Sequence, residues 1–148
     1  MKITRAEISD IQEILDMQYS AFQEEARVIN NYQIQPLVQK YEDVLLELQK
    51  GIILKAIDHS GKIVGSIRGF EETGVFFVAK LAVSPKMQKQ GIGSALLREI
   101  EKVSGCEKFE LYTRKECFSN VRLYEKHGYK TFKEEKVDDS LTFVYMKK

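Results

Sequence analysis

At 148 residues the chain suits one domain around one core and is too short for two ordinary domains. Apolar residues make up 43%, near the globular average, so a core can form without disulfides. Lysine and arginine total 23 against 22 acidic residues, and a net charge of +1 gives no electrostatic case for a nucleic-acid or anionic-membrane partner.

Two cysteines, Cys106 and Cys117, have no companions at metal-ligand spacing, so no metal is expected and each reads as a small reduced side chain. The opening residues Met1 to Glu7 lack the apolar core of a signal peptide. No apolar run is long enough to span a bilayer. The expectation is a cytoplasmic protein forming a single domain over residues 1–148.

Lys2 to Ala6 is a short strand candidate with Ile3 inward. A capping box follows, from Ser9 with Gln12 or from Asp10 with Glu13. Ile11, Ile14, Leu15 and Phe22 then keep helical spacing, predicting a helix to about Ala26. Arg27 to Gln35 is polar and without a period. Pro36 opens a second helix through Leu37, Val38, Tyr41, Val44, Leu45 and Leu48, with Gly51 as its C-cap.

After Gly51 the period changes. Ile52–Ile57, Lys62–Phe70 and Val75–Val83 read as strands. Asp58 to Gly61 and Glu71 to Gly74 are the turns that join them into an antiparallel meander. Val75–Val83 is nearly unbroken apolar, as a central strand should be. Ile92, Leu96, Leu97, Ile100 and Val103 mark a third helix, stopped at Ser104-Gly105. Phe109–Thr113 is a strand, Ser119–His127 a short helix ended by Gly128, and Tyr129–Val137 with Leu141–Lys147 a last strand pair. The order is that of an α+β fold with a mixed sheet.

The chemistry-bearing segment runs from Val83 through Gln88-Lys89-Gln90-Gly91-Ile92-Gly93-Ser94 into the third helix. It places unpaired backbone N–H groups and the positive end of a helix dipole beside two residues without side chains. A pyrophosphate is the natural guest, and Lys86 and Lys89 add long-range attraction. The spacing is not that of a dinucleotide-binding fingerprint, and no Gly-Lys-Ser/Thr makes it a P-loop. Taken alone, the segment also reads as a tight strand-to-helix turn that happens to use glycine.

Two matches in chain order resemble the GCN5-related N-acetyltransferase (GNAT) family. Gln88-x-x-Gly91-x-Gly93 resembles its Gln/Arg-x-x-Gly-x-Gly/Ala motif, and Asn120-Val121-Arg122-Leu123-Tyr124 through Gly128-Tyr129 resembles its Asn…Leu-Tyr-x-x-x-Gly-Phe/Tyr element. The resemblance implies the GNAT fold: α/β/α layers, a mixed six- to seven-stranded sheet with a V-shaped splay between strands 4 and 5, and four helices. It implies an acyltransferase that uses acetyl-CoA as cosubstrate and transfers an acetyl group to a primary amine by direct attack.

Carried over residue by residue, the cofactor-binding set is Leu81, Ala82, Val83, Gln88, Lys89, Gln90, Gly91, Ile92, Gly93, Ser94, Asn120 and Tyr124. Tyr124 is the implied acid for the leaving thiolate; as a residue alone it also reads as a core aromatic. Asn120 reads equally as a helix cap, since the family often carries its Asn where this chain has Cys117. The strand glutamate that some members use as base falls at Phe77 here. Glu71 and Glu72 are the reachable carboxylates, Glu71 the candidate base, with a solvated turn as their other reading; a water chain also suffices.

On the acceptor side the resemblance points to Phe22, Glu25, Tyr32 and Arg68. Glu24 and Glu25 suit a cation, whereas Arg68 suits a carboxylate or a pairing with Glu71. His59 is remote from the inferred cleft, and His127 complements the dipole of the last short helix. The expected acceptor is a primary amine of a small molecule, with a protein or peptide acceptor and a non-catalytic acetyl-CoA sensor as the alternatives. A homodimer is a further arrangement found in the family, and no patch in the sequence establishes it.

Overall fold

A computed structural model describes all of residues 1–148. The period-two and unbroken apolar runs become seven strands of one mixed sheet, ordered β1-β2-β3-β4-β5-β7-β6. β1 (Lys2–Arg5), β2 (Ile52–Ile57), β3 (Ile63–Glu72) and β4 (Val75–Val83) form the antiparallel meander. β5 (Lys108–Arg114) runs parallel to β4, and β7 (Leu141–Lys147) and β6 (Lys130–Asp138) complete the sheet antiparallel.

Neighbouring residues on a strand face opposite sides, and the core divides accordingly. Leu54 packs with Ile92, Leu96, Leu97 and Ile100 of α5 (Ile92–Ser104) on one face. Ile53 packs with Ile11, Ile14 and Leu15 of α1 (Ile11–Ala21) and with Val44 of α4 (Tyr41–Lys50) on the other. α6 (Phe118–Lys126) ends at Gly128, whose φ of +92° suits glycine.

The four expected helices are present, but each of the first two is broken. α1 stops at Ala21, Phe22 leaves helical geometry (ψ 1°), and α2 (Gln23–Ile29) restarts, ended by Asn30 in the left-handed region at φ 52°. Pro36 begins only one turn, α3 (Gln35–Val38); Gln39 is extended and α4 follows. The capping pairs also differ. Asp10 accepts the Glu7 N–H at 2.8 Å, while Glu13 reaches across to the Ile63 N–H at 2.7 Å and pins α1 to the start of β3.

Gly51 is not a left-handed cap: its φ is −151°. Glycine is required there by space, because a Cβ would lie 2.0 Å from the Gly69 carbonyl oxygen. β3 extends through Glu72, so Glu71 and Glu72 stand on a strand and only Thr73-Gly74 turns.

The feature that builds the site is a seam in the sheet. β4 pairs with β5 only from Val75 to Phe77, against Lys108 to Glu110, and the two strands part beyond. Across from β5, β3 pairs Arg68 with Ala79 but Ser66 with Ala82, so Lys80 and Leu81 share the place opposite Ile67. Lys80 takes a left-handed φ of 54° to make this bulge. An extra residue bends and twists its strand, which turns β4 away from β5.

Candidate active site

Two cavities open from the seam. The larger, about 1120 Å³, lies between the end of β4, the loop into α5 and the first turns of α6. The smaller, about 400 Å³, is walled by β4, β5, the segment from Asn31 to Pro36 and the start of β7. They share four lining residues: Phe22, Glu25, Leu81 and Asn120.

The loop feeding α5 is held by its own side chains. Pro85 to Met87 form a 3-10 turn, and the Gln88 amide donates to the Val83 carbonyl at 3.1 Å. Lys89 (φ 64°) and Gly91 (φ 84°) are both left-handed. The first bond of α5 joins the Ala95 N–H to the Gly91 carbonyl at 3.0 Å, so the N–H groups of Ile92, Gly93 and Ser94 have no intrahelical partner. All three residues line the larger cavity. Such a convergence of amides at a dipole's positive end can hold an anion. Gly93 lies against α6, where a Cβ would meet Leu123 at 3.4 Å.

Of the sequence-derived cofactor set, Leu81, Ala82, Val83, Gln88, Lys89, Gly91, Ile92, Gly93, Ser94 and Asn120 line this larger cavity. Gln90 does not, and Tyr124 faces the smaller one. Asn120 is the third residue of α6, behind Cys117 at the N-cap position, so its side chain is not a cap and faces the junction of the cavities.

Tyr124 is 7% exposed and packs edge-on against Tyr129, ring centroids 6.0 Å apart. Burial, with the nearby Glu25 and Cys117, pushes its phenol well above the ordinary range, so it stays a proton donor at neutral pH. Glu25, from α2, holds the Arg114 guanidinium at 2.6 Å and accepts the Cys117 thiol at 2.8 Å. Burial and the Glu25 carboxylate push that thiol upward too, so Cys117 is no thiolate nucleophile.

Other sequence-derived residues lie elsewhere. Glu71 is exposed on β3 opposite Phe76, at the closed end of the seam, and lines neither cavity. The candidate base thus stands away from both cavities: position near a strand end does not say which end of the seam it occupies. Tyr32 is exposed and outside both cavities. Arg68 is 2% exposed and pairs with Glu47 at 2.7 Å, not with Glu71. It faces α1 and α4 rather than the cavities. Phe22 and Glu25 do line both. His127 is 3.1 Å from the Ser94 hydroxyl. Burial, then the Arg98 charge, lowers its pKa, so it is neutral at pH 7 rather than a cation at the helix end.

Lys80 and Arg114, both on the smaller cavity, escaped the sequence reading. One signal was visible: Lys80 is the single charged residue of Val75–Val83.

The parted β4–β5 seam, the amide-lined helix start and a second cavity reaching the same junction form a site with room for two ligands that meet. The chain belongs to the acetyltransferase (GNAT) domain family, whose model matches residues 49–131. Its fold is similar to the ribosomal-protein-S18-alanine N-acetyltransferase of Escherichia coli, with a TM-score of 0.81, 17% identity and coverage of 99% of this chain and 91% of that one. It is also similar to the PaiA N-acetyltransferase of Thermoplasma acidophilum in complex with coenzyme A, with a TM-score of 0.82, 20% identity and coverage of 99% and 97%. A third is the phosphinothricin acetyltransferase of Sinorhizobium meliloti in complex with AcCoA, at 0.79, 17%, 99% and 86%. At these identities the likeness establishes the fold. No curated protein matches the chain by sequence. No helix is long and apolar enough to cross a membrane.

Proposed function

We propose that residues 1–148 act as one transferase domain that moves the acetyl group of acetyl-CoA to a primary amine of a small molecule, by direct attack with both substrates bound. The observation that carries this reading is the meeting of two cavities at Phe22, Glu25, Leu81 and Asn120. The larger cavity suits a long donor with a diphosphate: the free amides of Ile92, Gly93 and Ser94 would hold the pyrophosphate. The unpaired edge of β4 beyond Phe77 offers Leu81 and Val83 backbone groups to an extended pantetheine arm. The smaller cavity has the volume of a small acceptor and is walled on several sides, which favours a small amine over a polypeptide laid in a groove.

In this mechanism Glu25 receives the incoming ammonium at the junction and takes its proton, directly or through water. The neutral amine attacks the thioester carbonyl, the carbon–sulfur bond breaks, and Tyr124 protonates the departing thiolate. Because Cys117 is held as a thiol, direct attack is favoured over an acetyl-cysteine intermediate. The test is release of free thiol from acetyl-CoA against a panel of amines, with wild type and Tyr124→Phe. We expect the variant to lower kcat by roughly 10- to 1,000-fold without loss of fold. Unchanged turnover removes Tyr124 from the acid's role, and coenzyme A that fails to raise the melting temperature removes the cofactor reading.

A further inference from the structure

We infer that the acceptor is an amine that also carries a carboxylate, held in the smaller cavity by Lys80 and Arg114 with its amine toward Glu25. This rests on the acceptor-site reading of that cavity and names its substrate class.

The first observation is Arg114. It is 8% exposed and lines the cavity, and its side chain makes one hydrogen bond, from Nη1 to Glu25. Its Nε is buried with no partner. A guanidinium presents its donors as a planar fork suited to a carboxylate, and an unpaired one inside a protein is costly. Glu25 takes one arm and leaves the rest unanswered.

The second observation is independent and comes from the backbone. Lys80 sits at the bulge of β4 in a left-handed conformation that lysine rarely adopts. The bulge re-aims its side chain. The result is an ammonium with 12% of its side chain exposed, on the cavity wall, whose nearest carboxylate is Glu47 at 3.9 Å. Glu47 lines neither cavity and is already bonded to Arg68 at 2.7 Å and to Gln39 at 2.6 Å. Burial lowers the Lys80 pKa, Glu47 opposes this, and the Arg68 and Arg114 charges add to the lowering, so a ligand carboxylate beside the ammonium would relieve both its burial and its cationic neighbours.

Anionic groups on this cavity are placed differently. Asp138 is exposed at the rim and caps its own turn through the Ser140 N–H at 2.8 Å and hydroxyl at 2.9 Å. Glu25 stands at the junction with the donor's cavity. The site thus presents Lys80 and Arg114 beside a single carboxylate, Glu25, at the junction, the complement of an amino acid or related amino-carboxylate, whose two charged groups lie close together. Polyamines, with cations at both ends, are disfavoured by the same arrangement.

The test is binding, read separately from turnover. N-acetylated α-amino acids and their amides, which differ only in the carboxylate, are titrated calorimetrically into the protein with and without saturating coenzyme A, with spermidine as a cationic control. We expect at least one acid to bind about tenfold or more tighter than its amide, as a charge-assisted pair requires. Lys80→Asn keeps a residue tolerant of the left-handed backbone and should shrink that preference to about threefold or less, while the coenzyme A melting shift persists. Arg114→Lys retains the charge beside Glu25 and should weaken the acid's binding with the amide's unchanged. Amides binding as tightly as acids, spermidine binding more tightly than any acid, or no acid binding overturns the inference. A missing coenzyme A shift in the wild type counts instead against the cofactor reading, since the acid preference is also read without coenzyme A.

Discussion

His127 shows how one side chain ties the cofactor loop to the rest of the fold. It ends α6, yet its ring nitrogen meets the Ser94 hydroxyl in the first turn of α5. Burial and the Arg98 charge lower its pKa, and Glu101 offsets this only in part. The unfolded chain therefore takes up the proton first as pH falls. The stability of the neutral ring is complete above about pH 6.5 and is lost as pH drops through the folded value. Asp10 and Asp138, also lowered, act in the same direction but near the carboxylate range, below about pH 4. His127→Gln should flatten the fall of melting temperature between pH 7 and 5 relative to wild type. A parallel decline in both proteins would remove the histidine from that window. A lowered pKa works against the dipole-complementing cation that the sequence suggested: helix position was visible in the sequence, but the burial of the ring and the arginine one helix away were not.

The bulged β4 and the start of α5 are elements that depart from regular geometry next to each other. Gly91 and Gly93 serve them for different reasons. Gly91 needs its left-handed φ of 84°, although a Cβ there meets nothing, whereas Gly93 faces ordinary contact with Leu123 at 3.4 Å. Gly91→Ala should cost about 1–2 kcal/mol in urea unfolding and raise the Kd for coenzyme A. Gly93→Ala should fold with less than half that loss. Equal losses would mean that backbone conformation is not what Gly91 supplies. The apolar periods of α5 and the runs of β2 to β4 made these elements legible, because burial on one face leaves a spacing in the sequence. The breaks at Phe22 and Gln39 carry no Gly or Pro, so nothing local announced them. The bulge was hidden for a similar reason, since an alternation with one extra residue looks like a continuous apolar strand. Glu25 could be singled out but not placed: its partners Arg114 and Cys117 lie far along the chain, on β5 and at the start of α6.

At the scale of the molecule, a buried polar chain fixes the acceptor-side helices to the sheet. Gln18 donates to the Pro36 carbonyl at 2.8 Å and to the Gln39 side chain at 2.9 Å. Gln39 donates to Glu47 at 2.6 Å, and Arg68 bonds both Glu47 and Gln18. Gln18, Gln39 and Arg68 are each no more than 2% exposed. The chain joins α1, the α3–α4 joint and β3, and Pro36 is at once its member and a wall of the smaller cavity. Arg68 therefore acts on the acceptor indirectly, by holding the wall. Glu47 is the one carboxylate that answers Arg68, with Lys80 close behind. Removing one partner of a buried pair costs more than removing both, because the remaining charge has nowhere to go. Because Glu47 is itself 32% exposed and Arg68 keeps its bond to Gln18, Glu47→Leu should destabilise the fold by about 1–3 kcal/mol, less than for a fully buried pair, while the double variant Glu47→Leu/Arg68→Met should regain at least about half of that loss. Both are read by urea unfolding at pH 7. If the double variant is less stable than Glu47→Leu alone, the guanidinium contributes through packing and hydrogen bonds to Gln18 rather than through its charge, and the wall is held by Gln18 and Gln39 without it.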